Sequence, residues 1–329
     1  MPARATMPDP QPPADGSVSR YEIESCLRRF LKGYSHFILQ TPLWKLPGRA
    51  LGLECAEVWL KLEQLQTGGS FKARGMLNRL LSNPIPASGV IVASGGNAGI
   101  ATAAAARELG VPCEVFVPEI SSPAKRARLA ALGATVVVGG AAYSDALQAC
   151  LARQQHTGAL LTHAYDQPEV LVGAGTLALE IEQQGGLPDA VLVSVGGGGL
   201  LGGIACWFAS RSRVVALEPE LAPTLFRARE AGRPVDVSVG GLAADSLGAK
   251  RIGALAWQQA EAHVREARLV TDEAIREAQL FLWRQFKLAV EPAAALPLAA
   301  LRSGACPTRA DEKVCLIVCG ANLDPASLA

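Results

Sequence analysis

One lysine in this chain stands where lysines are uncommon. The stretch Thr67-Gly68-Gly69-Ser70-Phe71-Lys72-Ala73-Arg74-Gly75 reads as the start of a helix, with Ser70 as the expected N-cap and Lys72 inside the first turn. A cation there opposes the positive end of the helix dipole. Two readings follow. Either Lys72 is a solvated surface lysine at a small local cost, or it points into a cleft. In a cleft, desolvation and the helix end lower its pKa and leave a nucleophilic amine able to form a Schiff base.

Three further clusters sit at the ends of apolar runs. Ser94-Gly95-Gly96-Asn97-Ala98-Gly99 lies between a β-branched run and an Ala-rich stretch. A strand, tight turn and helix N-terminus there would present free amides to an anion such as a substrate carboxylate, unless Ser94 and Asn97 merely cap the helix. Gly196-Gly197-Gly198-Gly199 follows the run Ala190–Val195. Four consecutive glycines let successive amides converge on one phosphate. A G-x-G-x-x-G match at Gly197, Gly199 and Gly202, with Glu218 about 20 residues further on, keeps a dinucleotide site as a rival. The uninterrupted glycine run suits a single phosphate better, and the match falls beyond the middle of the chain. Cys319-Gly320-Ala321-Asn322 ends the last apolar run, and by itself it reads as a buried thiol before a turn. None of the four histidines, 36, 156, 163 and 263, accompanies a nucleophile-like elbow.

These clusters need elements to position them. Val90–Ser94, Cys113–Val117, Thr135–Val138, Ala159–Thr162, Ala190–Val195, Val214–Glu218 and Val314–Cys319 are short β-branched runs without strict alternation, the pattern of parallel strands buried on both faces. Helical stretches lie between them: Asn97–Leu109, Ser122–Leu132, Ser144–Gln154, Gly173–Gln184, Leu200–Ser210 and Asp272–Phe286. Repeated βαβ units make a doubly wound α/β fold, with ligand loops at the carboxyl ends of the strands.

Composition narrows the partners. The 329 residues exceed what one core usually serves, so two lobes are expected. A net charge of +1 leaves no basic excess for nucleic acid. Ala190 to Ser210 carries no charge, but its six glycines read as strand, loop and helix rather than a membrane span. The eight cysteines are scattered without zinc-like spacing, and reduced, buried thiols are expected, with no metal site. The N-terminus has neither a signal-peptide run nor a transit-peptide pattern, which points to the cytoplasm. Its first 18 residues, with five prolines, are expected to be a disordered tail.

The ordered series S-F-K-x-R-G at Ser70–Gly75, S-x-G-N-x-G at Ser94–Gly99, the tetraglycine at Gly196–Gly199 and C-G-x-N at Cys319–Asn322 resembles the fold-type-II pyridoxal phosphate enzymes. Among them it is most similar to the serine/threonine dehydratases. The likeness also takes in Thr41-Pro42-Leu43, His163-Ala164-Tyr165-Asp166, Gly173–Glu180, Ser246-Leu247-Gly248 and Val290-Glu291-Pro292, so it spans about Tyr21 to Leu323.

The resemblance implies two doubly wound, mostly parallel sheets with pyridoxal 5'-phosphate in the interdomain cleft. A large domain would take residues 19–84 and 161–329, and a small substrate domain residues 85–160. Lys72 would carry the cofactor as a Schiff base, Phe71 would pack near its ring, and Asn97 would bond its phenolic oxygen. Gly196, Gly197, Gly198 and Gly199 would hold its phosphate, and Cys319 would face the pyridine nitrogen. Ser94, Gly95, Asn97, Tyr165 and Gly241 would meet the substrate. The expected reaction is dehydration of a 3-hydroxy L-amino acid to a 2-oxo acid and ammonia, by a homodimer. Other fold-type-II activities, racemisation or β-replacement, are the alternative, and an NAD(P)-dependent oxidoreductase is a distant one. Two departures matter. Thr224 stands where similar enzymes with a divalent-cation site carry an aspartate, and Gly95 stands where related racemases carry a second serine.

Overall fold

Short apolar runs alternating with Ala/Leu-rich stretches build two separate sheets. The computed structural model describes residues 18–328, among which ten strands form. They are β1 (Leu43–Pro47), β2 (Glu57–Lys61), β3 (Val90–Ala93), β4 (Cys113–Val117), β5 (Thr135–Val138), β6 (Leu160–Leu161), β7 (Ala190–Ser194), β8 (Arg213–Pro219), β9 (Glu266–Val270) and β10 (Lys313–Ile317). The order β1-β2-β10-β7-β8-β9 makes a six-stranded sheet, and β5-β4-β3-β6 makes a four-stranded one. All pairings are parallel except that of β1 with β2. Every residue of β3 and β7 is buried, as helices on both faces of a parallel sheet require.

The expected strands Cys113–Val117 and Thr135–Val138 and the helix Asp272–Phe286 appear residue for residue. Strands β1, β2 and β9 are additional to the expected set, and each has a physical reason. β1 is an edge strand, partly exposed and ending in a proline, so it lacks a buried apolar run. β2 is flanked by Glu57 and Lys61, and β9 opens on Glu266 and carries Arg268. Lys61 and Glu266 are neutralised by tertiary partners that no local pattern announces, Glu180 and Arg213. Helices Arg20–Gly33, Thr224–Ala231, Ala254–His263 and Pro292–Arg302 are likewise additional. The uncharged stretch from Ala190 divides into β7 and the helix Gly199–Phe208. No helix among the described residues is long and apolar enough to cross a membrane.

The expected disordered tail lies outside the described residues except for Val18. That residue is a correction: it is buried, and its carbonyl accepts the Cys206 thiol at 3.3 Å. Ser19 then opens the first helix with a capping box to Glu22. All eight cysteines are free and buried.

A buried charge cluster holds the element that carries Lys72. Arg74, in the helix Lys72–Leu81, donates through Nε and Nη2 to Glu63 and through Nη1 and Nη2 to Glu180, each at 2.7–2.8 Å. Lys61 Nζ joins from β2, 2.8 Å from Glu180 and from the Thr41 carbonyl. Two cations face two carboxylates with their hydrogen bonds made, the condition under which buried charges are tolerated.

Candidate active site

The loops at the carboxyl ends of β3, β7 and β10 hold Ser94–Gly99, the tetraglycine and Cys319, as the doubly wound reading requires. Lys72 is the first residue of its helix, with Phe71 at the cap position. Ser70 is not the N-cap, which corrects the sequence reading. It is extended and pairs as an isolated antiparallel bridge with Gly320, while the Phe71 amide donates to the Cys319 carbonyl at 3.1 Å. This bridge stitches the Lys72 segment to the loop after β10. Lys72 Nζ donates to the Ala164 carbonyl at 2.5 Å and lies 5.1 Å from the centre of the Phe71 ring. Burial pulls its amine down from 10.5 to about 8, an effect that the nearby Cys319 and Glu291 side chains oppose. The cleft reading of Lys72 therefore prevails over the solvated one.

The segment His163-Ala164-Tyr165-Asp166 links the lysine to the glycine loop. Ala164 accepts Lys72, and the Tyr165 ring lies against Gly197. A Cβ on Gly197 would fall 2.3 Å from that ring, and Gly198 has φ +87°, where a Cβ would fall 2.5 Å from Ile252. These two positions require glycine. His163 Nδ1 accepts the amides of Tyr165 and Asp166, and burial lowers the imidazole pKa, so this ring is neutral. Asp166 receives the amides of Ala254 and Leu255 and thereby caps the helix Ala254–His263. The first amides of the helix Gly199–Phe208 have no intrahelical acceptor and point out of its N-terminus.

The rival dinucleotide reading fails on Glu218. Its carboxyl accepts the amides of Leu225 and Phe226 at 2.7 and 2.8 Å and contacts Thr224 Oγ1 at 2.9 Å, so it is not free for a ribose. Burial pushes Glu218 up to about 7. Thr224 Oγ1 also lies 2.7 Å from the Gly196 carbonyl, which it holds as a donor. No group of three or more His, Cys, Asp or Glu side chains is placed to hold a metal ion among the described residues.

Neither Ser94 nor Asn97 caps the helix Asn97–Glu108, whose N-cap is Gly96. Ser94 Oγ accepts the Gly96 amide at 3.3 Å and shapes the turn. Asn97 reaches across the cleft: its Nδ2 lies 3.0 Å from both Glu291 oxygens, and its Oδ1 accepts Asn322 Nδ2 at 2.5 Å. Gly95 faces Val117 and Ser121. Cys319 is buried beside Lys72, and desolvation drives its thiol far above the ordinary value, so it is neutral. Gly241, with φ +78°, packs against Asp272 and Leu221. Sequence reasoning assigns no role to Glu291, Asn322 or Ala164. All three stand inside matched motifs, and Ala164 acts through its carbonyl alone, which side-chain chemistry does not reveal.

The site combines an amine of lowered pKa, a tightly packed glycine loop at a helix N-terminus, a neutral thiol and an amide held across the cleft. The chain matches the family described as "Pyridoxal-phosphate dependent enzyme" over residues 34–320. An L-threonine ammonia-lyase of Geobacter sulfurreducens is 37% identical over 279 residues, covering 83% of this chain and 69% of that protein. A crystal structure of a T.th. threonine deaminase superposes with TM-score 0.85 at 35% identity, covering 93% of this chain and 99% of that one. Maize serine racemase superposes with TM-score 0.87 at 26% identity, covering 95% and 96%. With these motifs assembled at one cleft and the match extending over most of its length, the chain belongs to the pyridoxal-phosphate dependent enzyme family.

Proposed function

We propose that this enzyme is a serine/threonine dehydratase, converting a 3-hydroxy L-amino acid to a 2-oxo acid and ammonia. The observation that carries the reading is the buried Lys72 amine, pulled to about 8 and held on the Ala164 carbonyl beside neutral Cys319. The residues fit pyridoxal 5'-phosphate: a Cβ at Gly196, Gly197, Gly198 or Gly199 would meet Leu247, Tyr165 or Ile252 at 3.0 Å or less, so the cradle admits backbone only. Lys72 would bind the cofactor covalently, Gly196–Gly199 and the helix amides its phosphate, Asn97 its phenolic oxygen, and Phe71 one side of its ring. When bound, the group supplies an electron sink at the substrate α-carbon.

The chain's own groups do the rest. An amine with a pKa near neutrality divides its time between base and acid, and Lys72 takes the α-proton. Ser94 and the backbone amide of Asn97, with the other amides of their turn, orient the substrate carboxylate, and Tyr165 borders the substrate beside the glycine loop. The neutral thiol of Cys319 has no charge to offer the pyridine nitrogen, so prolonged carbanion chemistry is disfavoured. Gly95 has no side chain to exchange a proton at the face opposite Lys72, which favours elimination over racemisation. Gly241 and its loop border the pocket for the substrate side chain.

The same reading divides the chain into a large domain of residues 19–84 and 161–329 and a small substrate domain of 85–160. The four-stranded sheet uses residues 90–161 alone, and side chains cross between the parts at Lys125–Asp245, 2.6 Å, and Arg128–Gly68, 3.4 Å. A cytoplasmic homodimer is the assembly and place we infer from the resemblance. Purified protein supplied with pyridoxal 5'-phosphate should release 2-oxo acid and ammonia from L-threonine or L-serine, and borohydride reduction should fix the cofactor on Lys72. A label mapped to Lys61 or Lys125, or α-inversion as fast as ammonia release, would refute the proposal.

A further inference from the structure

Asn97, which stands in the small part, is a proposed cofactor contact whose side chain is held across the cleft by two residues of the large part. Its orientation is set by a chain of hydrogen bonds with acceptor-only groups at both ends. Asn322 Nδ2 donates to the Gly68 carbonyl at 2.8 Å, and a carbonyl can only accept, so the amide nitrogen of Asn322 faces that way. The same nitrogen lies 2.5 Å from the other side chain's Oδ1, which makes Asn97 Oδ1 the acceptor. Asn97 Nδ2 is thereby turned onto Glu291, 3.0 Å from each oxygen. The Asn322 backbone amide donates to Glu291 Oε1 at 2.7 Å and fixes the carboxylate in turn. The neighbouring glycines make room: a Cβ on Gly320 would lie 3.1 Å from Glu291 Oε1, and one on Gly69 2.6 Å from Asn322 Oδ1.

Hydrogen counting then singles out one proton. Two oxygens of one carboxylate lie in nearly the same direction from Nδ2, whereas the two amide hydrogens diverge, so one N–H serves both oxygens. The second N–H of Asn97 has no acceptor among the described residues. Burial raises the Glu291 pKa, the N–H donors of Asn97 and Asn322 oppose that rise, and the ionised carboxyl behind the amide polarises it and strengthens that remaining donor. Glu291 is 4% exposed and acts electrostatically on Lys72, so the carboxylate, the amide and the amine form one group.

We propose that Glu291 and Asn322 are positioning residues that lock the Asn97 amide with its free N–H directed at the cofactor's phenolic oxygen, and so set the ionisation of the bound cofactor. The inference rests on the cofactor site proposed above. Glu291→Gln replaces one acceptor oxygen by a donor, and the new amide must face either Asn97 Nδ2 or the Asn322 N–H, which forces Asn97 to turn over or let go. Asn322→Ala frees the opposite end.

The experiment measures the visible absorbance of bound cofactor against pH, and cofactor dissociation, in the wild type, both single variants, Asn97→Ala, and Asn97→Ala combined with Glu291→Gln. Each single variant should move the spectral midpoint by about one pH unit and weaken the cofactor about tenfold, as loss of one charge-assisted donor does. In the Asn97→Ala background, Glu291→Gln should add only its small direct electrostatic effect on Lys72, because the larger part passes through the missing amide. Two results would overturn the inference: variants that titrate like the wild type, or a Glu291→Gln shift that persists in full without Asn97. A wild type that takes up no cofactor would instead refute the site reading itself.

Discussion

Removing the Lys72 amine should change how the stability of the cofactor-free protein depends on pH. In the fold this amine titrates at about 8, against 10.5 for a free lysine side chain. Below pH 8 both folded and unfolded chains carry the ammonium, and the fold bears the cost of the partly buried charge. Between 8 and 10.5 the folded chain has released its proton while the unfolded chain still holds one. The unfolded state then binds more protons, so stability rises with pH across that window. The 2.5-unit interval gives a ceiling of about 3 kcal/mol, and the partial exposure of Lys72 lowers the expectation to about 2 kcal/mol. Lys72→Met carries no such proton. Urea unfolding of both apoproteins at intervals from pH 7.5 to 10.5 isolates the effect, since the eight buried thiols and all other groups are common to the pair. The wild type should gain on the variant as pH rises, with most of the gain above pH 8. Parallel stability curves would show that Lys72 is as solvated as a surface lysine, and the argument for its nucleophilic amine would fall with them.

Two further substitutions address the scaffold and the reaction. Arg74→Met leaves Glu63 and Glu180 without the guanidinium that bonds both, and should cost about 3–5 kcal/mol in denaturant unfolding; an unchanged midpoint would remove the buried cluster as the support of the Lys72 helix. Gly95→Ser places a Cβ 3.2 Å from Val117 Cγ1 and 3.4 Å from Ser121 Oγ, a fit that needs a shift of a few tenths of an ångström. Chiral chromatography of an L-serine incubation should show more D-enantiomer than the glycine form yields, and an unchanged ratio would mean that Gly95 does not govern the outcome.

Local sequence is sufficient wherever one segment contains both the chemistry and the geometry it needs. The tetraglycine is such a case, because a strand end, four residues without side chains and a helix start together present backbone amides at one point, the geometry the proposed phosphate site needs. Lys72 is half of one. Its place in the first helical turn is legible, but its cap is not: Ser70 has the composition of an N-cap, and a pairing with Gly320, some 250 residues later, draws it into an extended bridge. Ser94 and Asn97 stay open between capping and ligand binding, and only the position of Glu291 and Asn322 across the cleft decides that Asn97 turns away from its own helix end.

The same division separates what each level determined about the whole protein. Runs of β-branched residues without alternation, spaced by amphipathic stretches, specify parallel strands and the α/β class, because burial on both faces leaves its mark in every residue of the run. Strands β1, β2 and β9 leave no such mark, since they carry charged or exposed residues, and Lys61 and Glu266 find their partners only at a distance in sequence. The lowered pKa of Lys72, the donor on the Gly196 carbonyl and the orientation of the Asn97 amide belong to tertiary structure alone. Each depends on desolvation and on acceptors that come within 3 Å only after two sheets and their loops have closed on one cleft.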